Sequence, residues 1–325
     1  MKAYITFMRP FTMLPPMVGV ISGALTAWGS AHSLRGDAFG FDEMMLIVIA
    51  SLAAGFLNAA SNGINQICDL EIDRVNKPSR PLVTGAIKMG PAIVQITFLY
   101  IICVAITWVV VPAPQFQTWG ERLTAPLEYH ECIVFYLLAA IFTLIYSVPQ
   151  LGRTKKMTLG ANLTMAIPRG LMLKVAGWSV LASIWHWEPW FIGLVFFLFI
   201  FGAASTKDFS DMEGDRLGGC QTLPIRFGVR KAAYMIAPCF VIPWMLIPMG
   251  LYIKPDGQMP ILTGDPILLW FLALSLITWG AYTVWLILRD PEALSTVENH
   301  PSWKHMYLMM MWAQVGFALA YIVDL

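Results

Sequence analysis

Residues 65–81 read Asn65-Gln-Ile-Cys-Asp69-Leu-Glu71-Ile-Asp73-Arg74-Val-Asn76-Lys77-Pro78-Ser-Arg80-Pro81, and they close an apolar stretch that runs over 44–67. Asn65, Asp69 and Asp73 recur at every fourth position, which stacks them on one helical face. Like charges at that spacing repel and destabilise the helix unless something positive lies between them. The donors are amide and carboxylate oxygens with no His or Cys among them, a set that suits a hard cation such as Mg2+. Mg2+ held by one or two carboxylates completes its shell from water and substrate phosphate, so a phosphorylated substrate is implied. The plain alternative is a helix end whose acids simply face water. A second stripe argues against it: Lys207-Asp208-Phe-Ser-Asp211-Met-Glu213-Gly-Asp215-Arg216. The pattern D-[LM]-E-x-D-R returns 142 residues later, an internal echo that suggests a duplicated half with two metal-binding helix ends facing each other.

The surrounding composition places these acids in a membrane protein. Of 325 residues, 58% are hydrophobic and only 13% charged, with a mean hydropathy of +0.65. A soluble domain carries about 25% charged residues. A net charge of +1 offers no basic field for nucleic acid. The five cysteines (Cys68, Cys103, Cys132, Cys220, Cys239) are odd in number and contain no C-x-x-C pair. Neither a disulfide framework nor a thiolate metal site fits them. The five histidines form no ligand spacing either.

A bilayer core of about 30 Å needs roughly 20 apolar residues per helix. Apolar stretches fall near 10–29, 44–67, 90–111, 131–150, 157–183, 190–207, 232–252, 266–288 and 303–324. The expected fold is therefore an all-α, polytopic bundle of nine transmembrane helices, forming one domain over 1–325 from two pseudo-repeated halves, with acidic motifs at 65–73 and 208–215. The first stretch has a basic start but no small-residue cleavage site, so it is expected to stay as a span. Pro15, Pro16, Pro168, Pro243 and Pro248 are expected to kink helices. With nine spans, sixteen Lys and Arg fall on the face that carries both acidic motifs. The opposite face has three, Arg35, Arg122 and Lys254. The excess of positive charge puts the N-terminus and the motifs in the cytoplasm and the C-terminus on the other side.

Asn-x-x-x-Asp-x-x-x-Asp after the second helix, paired with Asp-x-x-x-Asp after the sixth, resembles the UbiA superfamily of intramembrane prenyltransferases. Asn76-Lys77-Pro78, Tyr146-Ser147-x-Pro149 and Thr222-Leu223-Pro224 share in the resemblance, which covers essentially the whole chain. It implies a nine-helix bundle with a central cavity open to the cytoplasmic side. It also implies that Asn65, Asp69, Asp73, Asp211 and Asp215 hold Mg2+, two ions, against the diphosphate of a polyprenyl donor, the four aspartates being catalytic. Within the superfamily the features are mixed. Asn65-Gln66, Asn76-Lys77-Pro78, Lys207-Asp208 and Arg169-Gly170 look like homogentisate prenyltransferases. Thr12-Met-Leu-Pro15-Pro16 and Arg80-Pro81 look like chlorophyll synthases and archaeal ether-lipid enzymes. A homogentisate- or quinone-type acceptor is favoured, with chlorophyllide or geranylgeranylglyceryl phosphate as the alternative.

An allylic diphosphate reacts by losing its leaving group to give a delocalised carbocation. Metal ions on these oxygens would stabilise the charge that develops on pyrophosphate. Lys77, Arg80, Arg153, Lys155 and Lys207 lie on the same face and could share that work, Arg80 through a bidentate contact. Tyr146 ends the fourth helix and could donate a hydrogen bond. Among the 13 Trp, 19 Phe and 10 Tyr, some rings would shield the cation, while Trp185, Trp187 and Trp190 read as a belt at the opposite membrane face. Arg169 and Lys174 stand inside the fifth helix, where charge costs about 2.5–3.5 kcal/mol. Arg169 needs an acidic partner or an anionic acceptor, and the acceptor is favoured. Asn162-x-Thr164 matches a glycosylation sequon by chance within a membrane stretch. Two other functions stand beside transfer: a terpene cyclase of the same superfamily, which shares the motifs and needs no acceptor, and a lipid carrier, against which the motifs argue because it needs no metal site.

Overall fold

The computed structural model describes residues 2–33, 39–112, 115–297 and 299–323; Arg35, counted above on the opposite face, lies outside them. Among the described residues the regular structure is helical throughout. The main helices are α1 (Leu14–Gly29), α2 (Phe41–Cys68), α3 (Leu70–Asn76), α4 (Met89–Ala105), α5 (Glu131–Ser147), α6 (Thr158–Ala166), α7 (Leu173–Trp178), α8 (Trp187–Ala203), α9 (Met212–Leu217), α10 (Val229–Ile236), α11 (Ile242–Gly250), α12 (Pro266–Arg289) and α13 (Pro301–Ile322).

Among the described residues, six helical runs are long and apolar enough to cross a membrane: Lys2–Gly29, Phe41–Cys68, Met89–Val109, Trp187–Lys207, Val229–Gly250 and Pro266–Arg289. The chain is an integral, multi-pass membrane protein. The other three expected stretches are helical but depart from the simple pattern. α5 has 17 residues. α6 and α7 are joined through a π-helical turn, Ile167–Met172. α13 has 22 residues, but Lys304, His305 and Gln314 lower its hydropathy.

The prolines act differently from a set of kinks. Pro15 and Pro16 start α1, and Pro243 starts α11, where a missing N–H costs nothing. The break in the first stretch is at Arg9, whose backbone is left-handed (φ 56°). Pro168 sits in the π turn, and Pro248 alone lies inside a helix.

Close packing depends on glycine at the crossing of α1 and α7. A Cβ on Gly177 would lie 2.6 Å from the Val20 carbonyl oxygen, and one on Gly23 would lie 2.8 Å from the Gly177 Cα. Small residues allow such backbone approach where lipid supplies no hydrophobic drive. The two larger buried clusters lie on either side of that crossing. One is built by α1, α2, α5 and α7 around Val20, Leu46, Phe135 and Trp178, the other by α8 and α10–α13 around Phe196, Phe240, Trp244 and Phe317. At the end of the bundle away from the acids, the fully buried Glu188 accepts from the hydroxyls of Ser30, Thr263 and Tyr321 and from the Thr263 backbone N–H. Four donors on one carboxylate tie the far ends of α1, α8 and α13 together. Trp185 and Trp187 lie exposed at that same end.

Candidate active site

The two acidic stripes adopt the same local structure. α2 ends at Asp69 (φ −101°, ψ 15°), which precedes the short α3; the run after α8 ends at Asp211 (φ −99°, ψ 7°), which precedes the short α9. The helix therefore bends at Asp69 instead of running straight. The i→i−4 ladder still survives the bend, from Asp69 N–H to Asn65 O and from Asp73 N–H to Asp69 O, both at 2.8 Å. That is why Asn65, Asp69 and Asp73 stay on one side. In each motif the second aspartate (Asp73, Asp215) is buried, while Glu71 and Glu213 and Arg74 and Arg216 point to solvent.

α3 and α9 are stapled by one side chain. Asn76 Nδ2 donates to the Asp211 carbonyl and Asn76 Oδ1 accepts from the Gly214 N–H, each at 3.0 Å. A Cβ at Gly214 would lie 2.5 Å from the Asn76 carboxamide. This explains the larger of the two internal mismatches between the motifs, Ile72 in the first and Gly214 in the second. Ile72 fills space that Gly218 leaves, where a Cβ would come within 2.3 Å of it.

Asn65, Asp69, Asp73, Asp211 and Asp215 line one cavity of about 340 Å³, together with Lys77, Arg80, Tyr146, Lys155, Arg169 and Lys207. The cations already hold the acids. Lys155 Nζ lies 2.5 Å from Asp69 Oδ2 and 3.6 Å from Asp215 Oδ1, so a single ammonium spans both motifs. Lys77 pairs with Asp211 at 2.9 Å, Lys207 lies 3.6 Å from the same oxygen, and Arg80 pairs with Asp73. Arg153 does not line the cavity. From a left-handed backbone (φ 41°) it donates to Asp69 Oδ1 at 2.6 Å and to the Cys68 carbonyl at 3.1 Å, and so positions Asp69 from behind.

Asp208 is a cavity residue that the expected set of ligands leaves out. Burial, then the neighbouring Asp215 and Asp211, push its carboxyl up to about 8. Burial pushes Asp215 up to about 6 against the pull of Lys155, and raises Asp73 despite Arg80. Burial alone would lower the Lys155 ammonium, but Asp69, Tyr146 and Asp215 overcome it and raise it. Among the described residues no three His, Cys, Asp or Glu are drawn together as a finished metal cage. The donor set still fits Mg2+: all are oxygens, on two facing helix ends, crowded enough to favour protonation unless positive charge is supplied.

Arg169 lies exposed in the π turn and lines the cavity with no acid in ion-pair reach among the described residues. A π turn inside a helix is a frequent mark of a functional site. Arg9 faces the same space, within electrostatic range of Arg80, Arg169 and Asp73, and has no acid at ion-pair distance among the described residues. The sequence does not single it out, because there it reads as positive charge ahead of the first span. Thr12, Asn58, Trp303 and Tyr307 complete this polar side of the cavity. Lys174 is elsewhere. It is buried between α1, α8 and α13, donates to Ser22 Oγ at 2.6 Å, and lies 5.0 and 5.6 Å from the ring centres of Phe196 and Phe317. A hydroxyl and two aromatic faces surround its ammonium there.

The profile of the UbiA prenyltransferase family matches residues 16–296. Digeranylgeranylglyceryl phosphate synthase of Methanobrevibacter smithii is 29% identical over 255 residues, 78% of each chain. Homogentisate phytyltransferase of Synechocystis is 27% identical over 298 residues, 88% of this chain and 86% of that one. Among solved structures, a UbiA homolog from Archaeoglobus fulgidus bound to GPP and Mg2+ superposes with a TM-score of 0.65 at 18% identity, covering 97% of this chain and 99% of that one.

Proposed function

Because this chain belongs to the UbiA prenyltransferase family, enzymes that transfer prenyl groups, we propose that it moves a prenyl group from an isoprenoid diphosphate to an acceptor with an anionic head, of the geranylgeranylglyceryl phosphate class. One observation carries the acceptor. Lys77, Arg80, Lys155 and Lys207 sit on the motif acids, whereas Arg9 and Arg169 open onto the same cavity with no acid at ion-pair distance among the described residues. Two unpaired guanidinium groups on a cavity wall suit a phosphate, which each can grip through two N–H groups. The names of relatives such as the M. smithii enzyme support that reading. A carboxylate would fit the same pair, and the Synechocystis relative favours homogentisate as the second reading.

In this reading 1–325 is one domain of two pseudo-repeated halves, crossing the membrane nine times. The N-terminus and cavity mouth are cytoplasmic and the C-terminus is opposite, supported by the clustering of Lys and Arg at the acidic end. Asn65, Asp69, Asp73, Asp211 and Asp215 would hold two Mg2+ ions, as the Mg2+ in the A. fulgidus homolog encourages. Bound there, Mg2+ would neutralise the diphosphate and stabilise its departure. The chain's own groups supply the rest. Lys77, Arg80, Lys155 and Lys207 are within a side-chain swing of the space between the motifs, and they exchange carboxylate for phosphate oxygen when the donor enters. Asn76 and Arg153 keep the acids in place meanwhile. The allylic C–O bond breaks with its electron pair going to pyrophosphate, and Tyr146, at the rim, faces the departing oxygens. The acceptor's nucleophilic atom then bonds to the allylic carbon and loses its proton to the diphosphate. Ala54, Leu57, Ala139 and Met172 keep water from the cation.

The deciding experiment supplies membranes containing the protein with geranylgeranyl diphosphate, Mg2+ and either geranylgeranylglyceryl phosphate or homogentisate, and reads products by mass spectrometry. The expected product is the doubly prenylated glyceryl phosphate. A prenylated homogentisate alone would move the assignment to the second reading. A cyclic hydrocarbon from donor alone would overturn transfer in favour of cyclisation.

A further inference from the structure

α12 ends and α13 begins at the end of the bundle that carries the acids, since Trp303 and Tyr307 in the first turns of α13 line the cavity. The outward face of this corner takes no part in the chemistry of the cavity. Tyr282, Trp285 and Arg289 stand at i, i+3 and i+7 and form one stripe on α12. Tyr282 and Trp285 are each about half exposed. Their rings stack with centres 5.8 Å apart, and Tyr282 meets the His305 ring edge-on at 5.6 Å. The Trp279 indole N–H donates to His305 Nδ1 at 2.7 Å. An indole nitrogen can only donate, so the proton of the neutral imidazole is on Nε2, where no acceptor takes it among the described residues. The Arg289 guanidinium lies over the Trp285 ring, 4.6 Å from its centre, and Lys304, beside His305, is exposed. Neither cation has an acid at ion-pair distance among the described residues, although Asp290 is next to Arg289 in the chain.

The plain reading of Trp and Tyr at the end of a span is an aromatic belt, which membrane proteins carry in general. A belt needs neither a fixed imidazole tautomer nor a guanidinium laid on a ring. Here two cations and a spare N–H surround an aromatic shelf at the edge of the apolar span Pro266–Arg289. That is the complement of a phosphate ester whose apolar part stays in the bilayer. Arginine can remain stacked on an indole while the edge of its fork grips two phosphate oxygens. We propose that this corner is a binding site for an anionic glycerophospholipid. Its phosphate is drawn by Arg289, Lys304 and His305 Nε2, and its glycerol and acyl stems lie along Tyr282, Trp285 and the exposed Leu308. The site is separate from the prenyl-transfer reaction and does not rest on that reading. It bears on the cavity all the same: Lys304 and His305 occupy one side of the two turns whose other side carries Trp303 and Tyr307, so a lipid held outside braces the wall inside.

The test titrates the full chain in detergent with phosphatidylglycerol and with phosphatidylcholine and reads bound lipid by native mass spectrometry. The first phosphatidylglycerol should bind about tenfold more tightly than the first phosphatidylcholine, the scale expected of two cations beside an anionic lipid. Arg289→Gln with Lys304→Gln should bring the two lipids to within about twofold. Trp285→Leu, which keeps both charges and removes the shelf, should cut the preference by about threefold. The control is Arg230→Gln with Lys231→Gln, which takes two exposed cations from the start of α10 and should leave the preference in place. Equal losses in the two double variants would overturn the site in favour of diffuse attraction to a basic end. Displacement of the lipid by millimolar inorganic phosphate would reduce it to a plain anion site. Hydrogen exchange over 301–307 should slow when phosphatidylglycerol is added to the wild type and not when it is added to the Arg289/Lys304 variant; unchanged exchange in the wild type would remove the brace.

Discussion

Gly214→Ala probes the staple between the two acidic motifs with a single methyl group. The added Cβ would lie 2.5 Å from the Asn76 carboxamide, too close for either to stay. Asn76 is the group with room to move, so the substitution should cost its two hydrogen bonds, to the Asp211 carbonyl and from the Gly214 N–H. At about 0.5–1.5 kcal/mol each, the loss is about 1–3 kcal/mol. Alanine returns up to about 1 kcal/mol, since glycine is a poor residue inside a helix. Overall stability should therefore change little, with thermal unfolding in detergent shifted by only a few degrees. The register of α9 against α3 should suffer in full, because nothing in the helix propensity of residue 214 restores it. If that coupling is expressed in the transition state, kcat/KM for the diphosphate falls by about 5- to 150-fold. Asn76→Ala removes the same two bonds without the clash and should show a similar loss. The double variant should then be no worse than either single one, since a staple is lost only once. A Gly214→Ala enzyme with wild-type kcat/KM, or losses that add in the double variant, would refute the staple.

Other perturbations test the rest of the site. Asp69→Ala and Asp211→Ala should each abolish turnover while leaving helix content by circular dichroism unchanged; EDTA should do the same reversibly, with Mg2+ restoring activity, and full activity in EDTA would remove the metal. Arg169→Ala should raise the acceptor KM far more than the diphosphate KM; equal shifts, or none, would take Arg169 out of the acceptor site. The raised carboxyls give a pH prediction. Asp208 at about 8 and Asp215 at about 6 are protonated more readily than free aspartate, and protons compete with a cation for the same oxygens. The Mg2+ concentration for half-maximal activity should therefore rise as pH falls from 8 to 6, and a flat titration would place both acids outside the cation's field.

How the chain divides between local and tertiary information is clearest at the cavity. The amino-acid sequence by itself determined that this is a helical membrane protein, because nearly every long stretch lacks the charge needed to meet water, and a lone helix is then the cheapest way to satisfy its backbone. It also singled out Asn65, Asp69, Asp73, Asp211 and Asp215 as candidates for one site, since oxygen donors at helical spacing, repeated once, have few other uses, and the structure lines one cavity with all five. The spacing could not show that α2 bends at Asp69, or that six helical runs meet the length and hydropathy of a span while α5 is short and α6 and α7 are joined by a π turn. Those features depend on which neighbours pack against each turn. Pairing was equally hidden. Arg153 looked equivalent to Lys155, yet one lies behind Asp69 and the other bridges Asp69 and Asp215. Arg9 resembled ordinary positive charge near a terminus until a left-handed residue turned it into the cavity beside Arg169. Asn76 and Gly214, 138 residues apart, carry no joint pattern along the chain. Only the tertiary structure decided these, because a charge or an amide acquires its role from what lies within about 3 Å of it, and chain separation does not encode that distance.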